Sequence, residues 1–71
     1  MTMKKLWGKM KTPDRQQLIG KIIVDGYGSS TAYAYCRGER TPREHYKEVI
    51  SGYVLEITGK NIPGDKLFPA T

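Results

Sequence analysis

The sequence predicts a small all-α domain of four to five short helices with an irregular or short extended C-terminal tail. Apolar residues recur at spacings of three and four in successive stretches, and Pro, Gly, Ser and Thr punctuate those stretches where helices start and stop. No substantial sheet is expected, and short helices with short connections describe an all-α domain.

Each element follows from its residues. Met3, Leu6, Trp7 and Met10 form one apolar stripe opposite Lys4, Lys5, Lys9 and Lys11, which predicts a short basic helical arm over residues 1–11. Trp7 reads as the anchor of that arm in the core. Thr12-Pro13-Asp14 then offers a capping hydroxyl, a first-turn proline and an acid at the positive end of the dipole. A second helix is expected from Pro13 to Val24, with Leu18, Ile19, Ile22 and Ile23 buried. Gly20 inside it either admits a close helix or merely loosens the segment.

Asp25-Gly26-Tyr27-Gly28 cannot continue a helix comfortably and predicts a tight connection with Tyr27 tucked inward. Ser29 or Ser30 is expected to cap a third helix reaching about Arg37, and Gly38 to end it in the left-handed conformation. Ala32, Tyr35 and Cys36 would face the core. Ser29, Ser30, Tyr33, Ala34 and Arg37 would face outward.

Thr41-Pro42-Arg43-Glu44 reads as a capping box for a packing helix over 42–58, whose Tyr46, Val49, Ile50, Tyr53, Val54 and Ile57 share one face and which Gly59 closes. The tail over 60–71 carries Ile62, Leu67 and Phe68 and is expected to pack back. One domain spans 1–71. Within it, a helix, a glycine-containing turn and a short serine-led helix over 13–38 describe a helix-turn-helix.

Composition narrows the function. The chain is 38% hydrophobic and 27% charged, with one Cys and one His, so neither an internal disulfide nor a zinc site of nitrogen and sulfur ligands can be built. A chain this short buries only about 60% of its unfolded surface and supports no elaborate cavity. No paired carboxylates, Cys/His arrangement or phosphate-cradling glycine loop followed by lysine is present, so no enzyme activity, cofactor, metal or small-molecule substrate is expected. The longest apolar run, Ile22-Ile23-Val24, is far short of the roughly 20 residues that span a bilayer. With no signal-peptide core ahead of it, a cytoplasmic protein with no membrane partner is expected.

The net charge of +5 makes a polyanion the default partner. All of the excess lies in residues 1–24, where Lys4, Lys5, Lys9, Lys11, Arg15 and Lys21 face Asp14 alone. The remaining two thirds are neutral.

The run from Ser29 to Pro42, together with Ile57-Thr58-Gly59 and Asp65-Lys66-Leu67-Phe68-Pro69, resembles the Cro and repressor family of lambdoid phages and related prophage regulators and antitoxins. The resemblance covers most of the chain. It implies sequence-specific binding of a double-stranded DNA operator by a homodimer, formed in solution or only on DNA, with two third helices in major grooves about 34 Å apart. Ser29, Ser30, Thr31, Tyr33, Ala34 and Arg37 are then the candidates for base reading, Arg37 as a fork on guanine. Arg15, Gln16, Gln17, Arg40, Thr41 and Arg43 are the candidates for phosphate contact, and Lys4, Lys5 and Lys9 for nonspecific attraction.

One departure concerns the turn. If Gly20 takes the family's small-residue position, the turn is about two residues longer than usual; if Gly26 is the turn glycine, Lys21 and Asp25 fall on buried positions. The extended turn is preferred, because burying two unpaired charges costs more than a short insertion.

Blander roles compete with these. Arg37, Arg40 and Arg43 alternate with Glu39 and Glu44 and also suit a solvated surface; Cys36 suits a small buried side chain, and His45 an exposed one. The alternative function is a protein-interaction module, an antitoxin or antirepressor, with DNA binding secondary or absent.

Overall fold

Met3, Leu6, Leu18, Ile22, Ile50, Val54 and Leu67 come from every part of the chain except the third helix and meet in one core, to which that helix adds Ala32 and Cys36. The computed structural model describes residues 1–69; Ala70 and Thr71, the end of the tail expected over 60–71, lie outside the described residues. Five helices follow in order: α1 (Met3–Lys9), α2 (Thr12–Val24), α3 (Ser29–Cys36), α4 (Glu44–Thr58) and α5 (Gly64–Leu67). No strand occurs among the described residues, so the domain is all-α. α2 packs on α3 and α4, α5 packs on α4, and α1 lies against α3 and α5.

α1 buries Met3 and Leu6, Met10 is buried just beyond its end, and Trp7 is half-exposed. Its start is capped by Thr2, whose Oγ1 accepts from the Lys5 backbone N–H at 3.3 Å. Thr12, expected as the cap of α2, is instead its first helical residue, with Lys11 before it and Pro13 inside the first turn. Along α2, Leu18, Ile19 and Ile22 are buried, but Ile23 is 42% exposed. Neighbouring residues on a helix point about 100° apart, and the stripe that meets α3 and α4 is too narrow to take Ile23 as well.

The connection to α3 bends at Gly26. Gly26 is the turn glycine, at φ 107°, whereas Gly20 is exposed and a Cβ there would meet nothing within 4 Å. The extended turn is the reading that spares Lys21 and Asp25 burial without partners. Neither is so placed: Lys21 Nζ reaches Glu56 Oε1 at 3.3 Å, and the exposed Asp25 carboxylate accepts from two tyrosines. Tyr27 turns inward, its ring 4.7 Å from that of Tyr46 and 5.6 Å from that of Tyr35.

Ser29 and Ser30 are the first residues of α3, not side-chain caps, and Gly28 takes the capping position. The far end closes as expected. Gly38 adopts φ 75°, with Gly38 N–H on the Tyr35 carbonyl and Glu39 N–H on the Ala34 carbonyl, the paired bonds that satisfy a helix C-terminus. A Cβ at Gly38 would lie 3.0 Å from Lys4 Cβ, so α1 passes directly over this end of α3.

The expected capping box of α4 does not form. The helix starts at Glu44 with Arg43 before it and no side-chain cap, and Pro42 is buried ahead of the helix. Glu44 instead reaches forward to Lys47 Nζ at 3.0 Å. Tyr46, Ile50 and Val54 are buried, Val49, Tyr53 and Ile57 half-buried, and Gly59 ends the helix at φ 76°.

The tail packs back as the single turn α5, burying Leu67 and Phe68. Ser51 Oγ donates to the Ile62 carbonyl and ties the approach to α5 onto α4. Gly64 sits so close that an added Cβ would lie 2.8 Å from the Lys47 carbonyl carbon. The apolar tail residues Leu67 and Phe68 are therefore buried within the chain's own core.

Candidate nucleic-acid interface

α3 separates its residues by face. Ala32, Tyr35 and Cys36 are buried, and the opposite side leaves Ser29, Ser30, Tyr33 and Arg37 exposed, with Thr31 and Ala34 half-buried between. Tyr33 and Arg37 are one turn apart, and the Arg37 guanidinium lies over the Tyr33 ring, 5.2 Å from its centroid.

The same geometry repeats across the junction of α1 and α2. The Arg15 guanidinium lies 5.1 Å from the Trp7 ring centroid, and its Nε donates to the Trp7 carbonyl at 3.0 Å. Trp7 and Tyr33 meet edge to face, with centroids 6.1 Å apart. The four side chains make a ladder in the order Arg15, Trp7, Tyr33, Arg37. With Thr12 and Gln16 they line a cleft of about 220 Å³.

Three helices thus bring together Arg15 and Gln16, read as phosphate contacts, and Tyr33 and Arg37, read as base contacts. Other candidates lie elsewhere. Lys4 and Thr41 border a second cleft with Gly38, Leu67 and Phe68. Lys9 faces the end of α4, in a cleft shared with Lys11, Asp14 and Lys60. Gln17 points into the groove between α2 and α4, lined also by Gly20, Val24 and Tyr53. Lys5, Arg40 and Arg43 are exposed. The basic arm therefore spreads its charge over more than one side of the domain.

Trp7 and Thr12 are the cleft residues that the sequence reading did not assign to the site. The available signal was the helical spacing of Tyr33 and Arg37, which hinted that an aromatic ring and a cation would stack. The partners on α1 and α2 carry no such signal, because their meeting with α3 depends on tertiary packing.

Behind this face the turn is braced by an acid and two phenols. Asp25 Oδ2 accepts from Tyr53 Oη at 2.5 Å and from Tyr46 Oη at 2.8 Å. The two hydroxyls hold the Asp25 carboxyl below its usual value. Burial, followed by the Asp25 bond, pushes the Tyr46 phenol up, and Tyr53 rises chiefly through its bond to Asp25. The Cys36 thiol, buried beneath α3, is pushed up to about 12 by desolvation.

Among the described residues no group of three or more His, Cys, Asp and Glu is arranged to hold a metal, and no helix is long and apolar enough to cross a membrane. No family model, curated protein or solved structure matches the chain.

Proposed function

We propose that this chain is a sequence-specific double-stranded-DNA-binding transcriptional regulator, a repressor of the Cro type found in phages and prophages, with α3 in the major groove. The observation that carries the reading is the outward face of α3. Small hydroxyl side chains at its start allow close approach to base edges, and the cations of the Arg15–Arg37 ladder flank it. α2 and α3 are joined by the four residues Asp25-Gly26-Tyr27-Gly28, in keeping with the three- to four-residue, glycine-containing turn of helix-turn-helix pairs.

In this reading Ser29, Ser30, Thr31 and Tyr33 approach the bases, Arg15 and Gln16 hold the adjacent backbone, and the lysines of α1 add salt-sensitive attraction. Two copies bind a palindromic operator, and the protein works in the cytoplasm, where such an operator lies.

Ser30→Glu tests this directly. An acid in the first turn favours the helix dipole, so α3 is retained, while the new charge repels the DNA backbone. Duplex binding, followed by fluorescence anisotropy, is expected to fall at least tenfold with thermal stability unchanged. Unchanged binding would remove α3 from the interface.

A second reading, an interaction module such as an antitoxin or antirepressor, is favoured by Val24 at 86% exposure and by the exposed Ile23 and Leu55. It gains if the protein binds no duplex but copurifies with the product of a neighbouring gene.

A further inference from the structure

We infer that Arg37 grips a backbone phosphate jointly with Arg15 and does not read a base. The inference rests on the DNA-binding reading and assigns a specific ligand group to the cleft.

Four observations carry it. Arg37 does not extend from α3 but folds over the ring of Tyr33, along its own helix. That position lines the cleft shared with Thr12, Arg15 and Gln16, all from the beginning of α2, rather than leaving the guanidinium free beyond the hydroxyl end of α3. Arg15 and Arg37 flank the Trp7–Tyr33 pair from its two ends, which places two permanent positive charges on one small cleft. The ion pairs among the described residues, Lys21 with Glu56 and Lys47 with Glu44, use neither of them.

The chemistry then follows. A guanidinium held over an aromatic ring, as Arg15 and Arg37 are at 5.1 and 5.2 Å from the centroids, is positioned by the ring and keeps N–H donors for a further acceptor. Arg15 has spent Nε on the Trp7 carbonyl, so its terminal nitrogens are the donors left, held in a fixed orientation. Two such forks across one cleft suit a tetrahedral anion whose oxygens accept from several directions. Guanine instead needs one fork reaching coplanar with the base edge, which a side chain lying back on Tyr33 does not offer. The aromatic pair therefore acts as a positioning device, with Trp7 setting Arg15 and Tyr33 setting Arg37.

The experiment compares wild type, Arg15→Gln, Arg37→Gln and the double variant on a preferred and a scrambled duplex over a range of salt. Loss of a phosphate contact lowers the slope of log affinity against log salt by about 0.9. Arg37→Gln is expected to show that fall and to weaken both duplexes by the same factor, about tenfold for a charge-assisted bond. The double variant is expected to depart from the product of the single losses, because both forks hold one group.

Weaker discrimination between the two duplexes with an unchanged salt slope would return Arg37 to base reading and overturn the inference while leaving the DNA-binding reading in place. Multiplicative losses would assign the arginines to separate groups and also overturn it. A wild-type protein with no affinity for any duplex overturns both.

Discussion

Tyr46 Oη donates to Asp25 Oδ2 across 2.8 Å, joining the middle of the domain to the residue that ends α2. The bond fixes the turn ahead of α3, since Asp25 cannot shift without losing it and the companion bond from Tyr53. Stability should therefore depend on pH at both extremes. A phenol whose folded pKa is raised stabilises the fold below its unfolded value of 10.0, and that contribution is lost as pH rises toward the folded value. A carboxyl held low contributes above its unfolded value of 3.8 and loses that contribution as pH falls through the folded value. Urea midpoints are expected to fall above about pH 10. Tyr46→Phe should cost about 1 kcal/mol at pH 7 and flatten the alkaline fall. An alkaline limb as steep in the variant as in wild type would contradict the bond's role.

Gly64 and Gly20 should respond in opposite ways to the same substitution. At Gly64 a Cβ would lie 2.7 Å from Glu48 Oε1 and 2.8 Å from the Lys47 carbonyl carbon, and backbone cannot yield as a side chain can. Gly64→Ala is expected to destabilise the domain by about 2 kcal/mol, the usual range for forced overpacking. At Gly20 the space is open and the residue lies inside α2, so Gly20→Ala should stabilise by about 0.5 to 1 kcal/mol. Thermal midpoints of the two variants check both signs.

Cys36 should be inert while the domain is folded. It is 1% exposed, and its thiol, raised to about 12, supplies little thiolate at neutral pH. Iodoacetamide at pH 8, followed by mass spectrometry, is expected to modify it only as fast as the protein unfolds, and rapidly in urea. Native-state alkylation at the rate of a free thiol would show that α3 opens readily from the core.

Much of the architecture was legible in the chain. The stripe at Leu18, Ile19 and Ile22, the inward Ala32, Tyr35 and Cys36, and the left-handed closures at Gly38 and Gly59 follow from local rules of period and conformation. Helix starts were less legible. Thr12, Ser29 and Thr41 each look like caps, yet Lys11, Gly28 and Arg43 occupy those places and none of the three helices has a side-chain cap bond.

The pairing of the charges around the turn was not legible. Lys21 and Asp25 looked like unpaired charges, but their partners Glu56, Tyr46 and Tyr53 lie 21 to 35 residues away, where no local pattern reveals them. The candidate site divides in the same way. The outward residues of α3 could be read from its period, whereas Trp7 over Arg15 and the cleft they share with Arg37 arise only when three helices meet.

Selection of bound duplexes from a random pool tests the central claim, sequence-specific recognition through α3, most directly. Enrichment of a palindromic sequence whose half-sites are about one helical turn apart is the predicted result, lost in Ser30→Glu. A pool that remains random after repeated rounds, from protein shown to be folded, would contradict it.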